Sequence, residues 1–361
     1  MKKVISLVGA RPQFIKEAVI NEAVRNANAW DHVLVNSGQH YDFNMAGTFF
    51  DELGIPVPRY NMGVGSGTHA EQTAEAMCKF EKILTVEKPD IILLYGDTNT
   101  TLAGAITASK LRIPIAHVEA GPRTFVKSIP EEINRILTDK ISDLLFCATE
   151  LNVENLKNEG IVEGVFNTGD VMYDLYNKMA NNLDPENEMK KYGLLRDQYI
   201  LVTLHRDFNT DVKEVFEYTL RGLILAIEKL KLKAIFPMHP RARKRAAEFG
   251  LDHLLEKFIV TEPLGYMEIM SLLQTCRFVI TDSGGFQKES YWSHKRGVLI
   301  VPGGWPEISS TGWHILVKDP LKADWESLTT NILKPYSYPA NIFGDGKAAE
   351  KITRIICKYL S

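Results

Sequence analysis

Ile91-Ile-Leu-Leu94 is a run of four apolar residues, opened by Pro89-Asp90 and closed by Gly96-Asp97. A strand without alternation has both faces covered, the situation of a strand inside a parallel sheet flanked by helices. Short buried runs of this kind recur at Val4–Val8, His32–Asn36, Ile113–Val118, Asp143–Cys147 and Val165–Thr168. They resume at Tyr199–Thr203, Ala234–Phe236, Phe258–Thr261, Phe278–Ile280 and Val298–Val301. Helical periodicity fills the intervals at Phe14–Val24, Asn44–Leu53, His69–Glu87, Thr98–Leu111, Val212–Leu230 and Tyr266–Gln274. Pro130 before Glu131-Glu132 opens another helix, and Thr149 caps one that ends near Asn158. The alternation predicts the α/β class, with doubly wound, mostly parallel sheets.

A chain of 361 residues implies about two such domains. The polar stretch Asn181–Gln198 reads as the linker. We therefore expect a Rossmann-like domain over 1–180 and a second over 181–344. An amphipathic helix over Lys347–Leu360 should pack back across the junction, joining 345–361 to the first domain. A net charge of −3 argues against a nucleic-acid partner or an anionic-membrane surface. Cys78, Cys147, Cys276 and Cys357 stand far apart, as core thiols do in a reducing compartment. The apolar run behind Met1-Lys2-Lys3 is too short for a signal peptide, and Arg11 follows it at once. No stretch approaches a membrane span. A cytoplasmic protein is expected.

Open α/β sheets bind ligands at the carboxyl ends of their strands. The stretch Phe278-Val-Ile-Thr-Asp-Ser-Gly-Gly-Phe-Gln-Lys-Glu-Ser290 reads as strand, glycine turn and helix. Gly284 and Gly285 let a ligand approach the backbone, and the first helical N–H groups form an anion site beside the Ser283 hydroxyl. Glu289, one turn on, suits a ribose diol. Together these describe a seat for a diphosphate carrying a sugar, although a bare Gly-Gly turn is common. Arg11 and Lys16 in the first strand-to-helix loop are candidate phosphate contacts; the competing reading is solvated surface charge. Asp97, Glu119 and Glu131 emerge at one rim. Singly they would be helix caps or salt-bridge partners, but three together can divide base and acid roles. His205 and His239 end strands of the second half and should face an interdomain cleft. No metal-ligand spacing appears, and no Gly-x-Gly-x-x-Gly follows the first strand, so neither a metal nor a dinucleotide cofactor is expected.

Six motifs stand in order along nearly the whole chain: Gly9-Ala-Arg-Pro12, Gly96-Asp-Thr98, His117-Val-Glu-Ala-Gly121, Pro130-Glu-Glu-Ile-Asn-Arg135, His205-Arg206 and Thr281-Asp-Ser-Gly-Gly285. In this the chain resembles the non-hydrolysing UDP-N-acetylglucosamine 2-epimerases. The resemblance implies the two-domain glycosyltransferase-B fold, a UDP-sugar in the cleft, a homodimer, and no metal or nicotinamide. It implies elimination of UDP across C1–C2 to a 2-acetamidoglucal, then readdition with the proton on the other face of C2. The C2 hydrogen is not acidic, so UDP departure must lead, and donors must stabilise the diphosphate. Arg11, Lys16, His205, Ser283, Gly284 and Gly285 match the family's UDP-handling positions, and Glu289 its ribose carboxylate. Arg123, Arg135 and His239 join the substrate-binding set. Asp97, Glu119, Glu131 and His205 match the catalytic groups. Which carboxylate serves which face stays open.

Gly9-Ala-Arg-Pro-Gln-Phe-Ile-Lys16, Gly38-Gln-His-Tyr-Asp42 with Asn44-Met45, and Ser283-Gly-Gly-Phe-Gln-Lys-Glu289 look more like the subgroup acting on UDP-2,3-diacetamido-2,3-dideoxy-glucuronate. That subgroup makes the manno isomer for surface polysaccharides such as O-antigen or capsule. The commoner enzymes read Thr-Arg-Pro-Glu at the first motif, and many bind a second substrate molecule as activator. Their Arg-Arg-Glu-Asn run is here Arg206-Asp-Phe-Asn209, and their activator contacts are lost near Asp42 and Thr68, so little such activation is expected. Pro122 stands where Leu is usual, and Val298-Leu-Ile-Val-Pro-Gly-Gly-Trp-Pro-Glu307 lacks the usual arginine and Thr-Glu. Three rivals remain. A glycosyltransferase of this fold would not need three acids at one rim. A hydrolysing epimerase would release free sugar. A silent UDP-sugar binder would show no turnover.

Overall fold

The computed structural model describes residues 1–38 and 57–361. The helix expected over Asn44–Leu53 and the motif residues 39–45 lie outside the described residues. The chain forms two compact units, Met1–Asn177 with Asn341–Ser361, and Lys178–Ala340.

The first unit is built on seven parallel strands: β1 (Lys3–Val8), β2 (Asp31–Asn36), β3 (Tyr60–Asn61), β4 (Ile91–Tyr95), β5 (Ile115–Val118), β6 (Leu144–Cys147) and β7 (Val165–Asn167). Its helices are α1 (Arg11–Ala27), α2 (His69–Glu87), α3 (Asn99–Lys110), α4 (Pro130–Ile141), α5 (Glu150–Asn158) and α6 (Val171–Ala180). The strand order is β3-β2-β1-β4-β5-β6-β7. Successive residues of each strand feed opposite faces. Val4, Ile91 and Leu93 pack with Phe14 and Ile20 of α1, while Ile5, Leu7, Ile92 and Leu94 pack with Phe80 and Leu84 of α2 and the alanines of α3. That is why the strands read as unbroken apolar runs: each face has its own helical layer.

The C-terminal helix, Ala348–Leu360, belongs to the first unit, where Ile352 and Ile356 are fully buried in the core that includes Val24 of α1. Its own N-cap residue, Lys347, makes no capping bond. Asp174 of α6 does this instead, accepting from the N–H groups of Ala348 at 3.0 Å and Ala349 at 2.7 Å. Burial pushes the Asp174 carboxyl up to about 6, against the pull of those two bonds.

The second unit carries α7 (Pro185–Lys191), β8 (Tyr199–Thr203), α8 (Asp207–Thr210), α9 (Lys213–Leu230), β9 (Lys233–Pro237), α10 (Pro240–Glu248), β10 (Ile259–Thr261), α11 (Tyr266–Thr275), β11 (Phe278–Thr281), α12 (Gly284–Trp292), β12 (Gly297–Ile300), β13 (Ile315–Val317) and α13 (Trp325–Ile332). Its six strands are parallel in the order β10-β9-β8-β11-β12-β13. Gly222 of α9 lets α13 press close, since a Cβ there would lie 2.2 Å from the Trp325 ring. Both units thus have the doubly wound α/β architecture expected from the strand runs.

Several elements differ from the sequence reading. The stretch read as a linker contains α7, capped by Asp184 and packed on α11; Asp-Pro followed by acidic residues is a helix start, and its charge masked it. Helix α1 begins at Arg11, because Pro12 suits the first turn. Elements β3, α6, α10, β13 and α13 were not read, being short, polar or flanked by weak signals. None of the described helices is long and apolar enough to cross a membrane. Replacing Asp174 with Ala should cost the first unit about 1–2 kcal/mol, measured as a lower urea midpoint with an unchanged slope.

Candidate active site

Strand order reverses between β1 and β4 in the first unit and between β8 and β11 in the second. At such a switch point neighbouring loops diverge and leave a crevice at the strand ends.

In the first unit the loops after β1 and β4 are clasped by one side chain. Gln13, almost fully buried, accepts from the N–H groups of Gly9 (2.8 Å) and Ala10 (3.0 Å). Its amide donates to the Tyr95 carbonyl at 2.7 Å and to the hydroxyls of Thr98 (3.1 Å) and Thr101 (2.9 Å). Gly9 has to be glycine, since a Cβ would stand 2.1 Å from Ser37 Oγ.

Beside this clasp lies a cluster of alternating charge. Lys16 is 7% exposed and pairs with Glu119. The reading of Lys16 as solvated surface charge is therefore set aside; Arg11 is exposed at the start of α1. Asp97 pairs with Arg135 Nη2 at 2.5 Å. The pairs adjoin: a Cβ on Gly96 would lie 3.6 Å from Glu119 Oε2 and 3.7 Å from Lys16 Nζ. Burial raises the Asp97 carboxyl from its ordinary value; Arg135 opposes this and the nearby Glu119 adds to it. Glu119 has φ 68°, the left-handed region, which is costly for a side chain with a Cβ. Its N–H and that of Ala120 both donate to the Phe146 carbonyl, at 3.0 and 3.1 Å, which pins that turn.

The third predicted carboxylate, Glu131, is exposed in the first turn of α4. Its neighbour Glu132 is the buried one. Glu132 accepts from the N–H groups of Thr124 and Phe125 and from Arg135 Nη1 at 3.2 Å, linking the loop after β5 to the Arg135–Asp97 pair. Arg123 lies behind the cluster with its side chain wholly buried. It spans Asp139 at 2.8 Å and both oxygens of Glu159 at 2.6 and 2.8 Å. His117 extends that support, its ring nitrogens facing Asp139 Oδ1 and the Gly96 carbonyl, each at 2.7 Å. Arg123 is thus an anchor for the Glu119 loop; its guanidinium has no exposed surface to offer a ligand.

In the second unit, Ser283 caps α12 by accepting from the Phe286 N–H at 3.4 Å. Gly284 and Gly285 follow in ordinary helical backbone, and a Cβ on either would meet nothing within 4 Å. Neither backbone strain nor internal packing requires glycine there; the pair keeps the helix start open to an approaching group. The preceding Asp282 is fully buried and accepts from the His205 and Arg206 N–H groups, at 3.0 and 2.9 Å, and from Asn209 at 3.1 Å. Its carboxylate also holds His205 Nδ1 at 3.0 Å, which leaves the Nε2 edge of a 39% exposed side chain outward. His239 is exposed and caps α10, its Nδ1 accepting from the Arg241 N–H at 3.2 Å. Glu289 is half-buried in α12, and burial pushes its carboxyl up to about 7, with Tyr266 pulling it back through a hydrogen bond.

Gln13, Glu132 and Asp282 were not selected from the sequence as site residues. Two of them had a signal: Gln13 stands at capping-box spacing from Ala10, and Asp282 immediately precedes the anion turn.

The profile of the UDP-N-acetylglucosamine 2-epimerase family matches residues 22–357. The chain belongs to this family. Its members are isomerases. A Pseudomonas aeruginosa relative named UDP-2,3-diacetamido-2,3-dideoxy-D-glucuronate 2-epimerase is 39% identical over 99% of both chains. A UDP-N-acetylglucosamine 2-epimerase homolog of Methanococcus maripaludis is 43% identical over 98% of this chain and 99% of its own. The crystal structure of Methanocaldococcus jannaschii UDP-GlcNAc 2-epimerase in complex with UDP-GlcNAc and UDP is 40% identical, with TM-score 0.81 over 99% of this chain and all of that one.

Between the ordinary carboxyl value of 4.5 and about 7, the folded epimerase-family chain holds a proton on Glu289 that the unfolded chain has released. Glu289 therefore lowers stability as pH rises through that window. Urea midpoints at about pH 5 and about pH 7.5 should show this fall, and Glu289→Gln should flatten it.

Proposed function

We propose that the chain is a non-hydrolysing C2 epimerase of a UDP-2-acetamido sugar. The substrate is UDP-2,3-diacetamido-2,3-dideoxy-glucuronate or UDP-N-acetylglucosamine. The observation that carries this reading is the meeting of Asp97 and Glu119, each with its own cation, around Gly96. An enzyme that removes a proton from one face of a carbon and returns it to the other needs two acid–base groups. It also needs them in different protonation states. Asp97, raised by burial, retains a proton more readily, whereas Glu119 has the Lys16 ammonium as its partner.

The second unit carries the candidate diphosphate contacts. The N–H groups of Gly284 and Gly285, the Ser283 hydroxyl and the His205 ring take up charge on the departing diphosphate. Glu289 takes the ribose diol, whose hydroxyl donors favour its ionised form. The C1–O bond breaks with its electron pair going to UDP, a base removes the C2 proton, and a C1–C2 double bond forms. Readdition returns a proton to the opposite face of C2 and rejoins C1 to the UDP oxygen. Arg11, Arg135 and His239 stay in the substrate-binding set, Glu131 in the catalytic set, and Arg123 acts by positioning Glu119. The activity fits a cytoplasmic homodimer that supplies surface-polysaccharide synthesis.

Proton NMR in deuterated water with each UDP-sugar and no added cofactor tests this. The manno isomer should appear with deuterium at C2. Free UDP accumulating with free sugar would indicate hydrolysis, and no exchange with either sugar would leave a glycosyltransferase or a silent binder. Glu119→Gln should lower turnover at least about 100-fold while UDP binding is retained, measured by calorimetry.

A further inference from the structure

The segment Pro302-Gly-Gly-Trp-Pro-Glu307, which departs from the family pattern, lies against the first turn of α12. Trp305 Nε1 donates to the Gly284 carbonyl at 2.8 Å. The Trp305 N–H donates to Gln287 Oε1 at 3.2 Å. One residue thus bonds α12 at two points a turn apart. Gly304 permits this close approach, because a Cβ there would lie 2.5 Å from Ser309 Oγ and 3.2 Å from Gln287 Oε1. Trp305 has a further partner in Lys288, whose ammonium stands 4.0 Å from the ring centroid on a side chain that is almost fully buried.

Two successive glycines make the first turn of α12 the part of the helix with most backbone freedom, and the indole N–H restrains that turn at Gly284.

We infer that Trp305 is a positioning residue of the diphosphate seat: its indole N–H braces the Gly284–Gly285 turn. The inference rests on reading that turn as the UDP seat.

Calorimetric titration with UDP and with uridine separates the outcomes. Trp305→Phe keeps a ring beside Lys288 but removes the donor. It should weaken UDP binding about three- to tenfold, the worth of one hydrogen bond, with a smaller effect on uridine. Melting curves establish that the variant is folded. Unchanged UDP affinity, or an equal loss for uridine, would overturn the brace while leaving the seat intact. Wild-type protein that fails to bind UDP would overturn the seat as well.

Discussion

The ion pair between Lys16 and Glu119 is the contact around which the first unit's candidate site is arranged. Lys16 comes from α1 and Glu119 from the end of β5, so the pair joins the first and fifth strands' loops over Gly96. Burial first, and then the nearby Glu119, make ionisation of Asp97 harder. Arg135 opposes that rise. Two carboxyl groups with different cationic partners then stand close together, which a pair of equivalent, solvated acids would not provide.

Behind that pair lies a support of buried polar groups. Gln13 has five partners and His117 and Arg123 meet at Asp139. Such networks fix geometry because a half-satisfied buried polar group is costly. The second unit follows the same rule with a different residue. Asp282 gathers the His205 and Arg206 backbone, the Asn209 amide and the His205 ring on one carboxylate, so the histidine's orientation comes from the same turn that opens α12.

What the sequence disclosed follows from which signals are local. The covered strands declared themselves, because Ile91–Leu94 are apolar whichever helices cover them. The Ser283-Gly-Gly turn was legible because glycine and a capping serine act within four residues. Gln13 and Tyr95 stand 82 positions apart, and no local pattern announces their bond. Glu131 and Glu132 look alike in sequence; the phase of α4 makes the second the buried partner of Arg135. Arg123 was grouped with ligand contacts by its motif, yet Glu159, far along the chain, occupies its guanidinium.

The left-handed backbone at Glu119 sets two kinds of fitness against each other. Glycine would relax that residue, and it would also delete the carboxylate that Lys16 holds. A population of variants screened only for survival on heating would be expected to accumulate glycine at 119, whereas one screened for turnover would retain the acid. The position is thus a marker of what a lineage of this chain has been selected for: endurance of the scaffold, or the reaction it carries out.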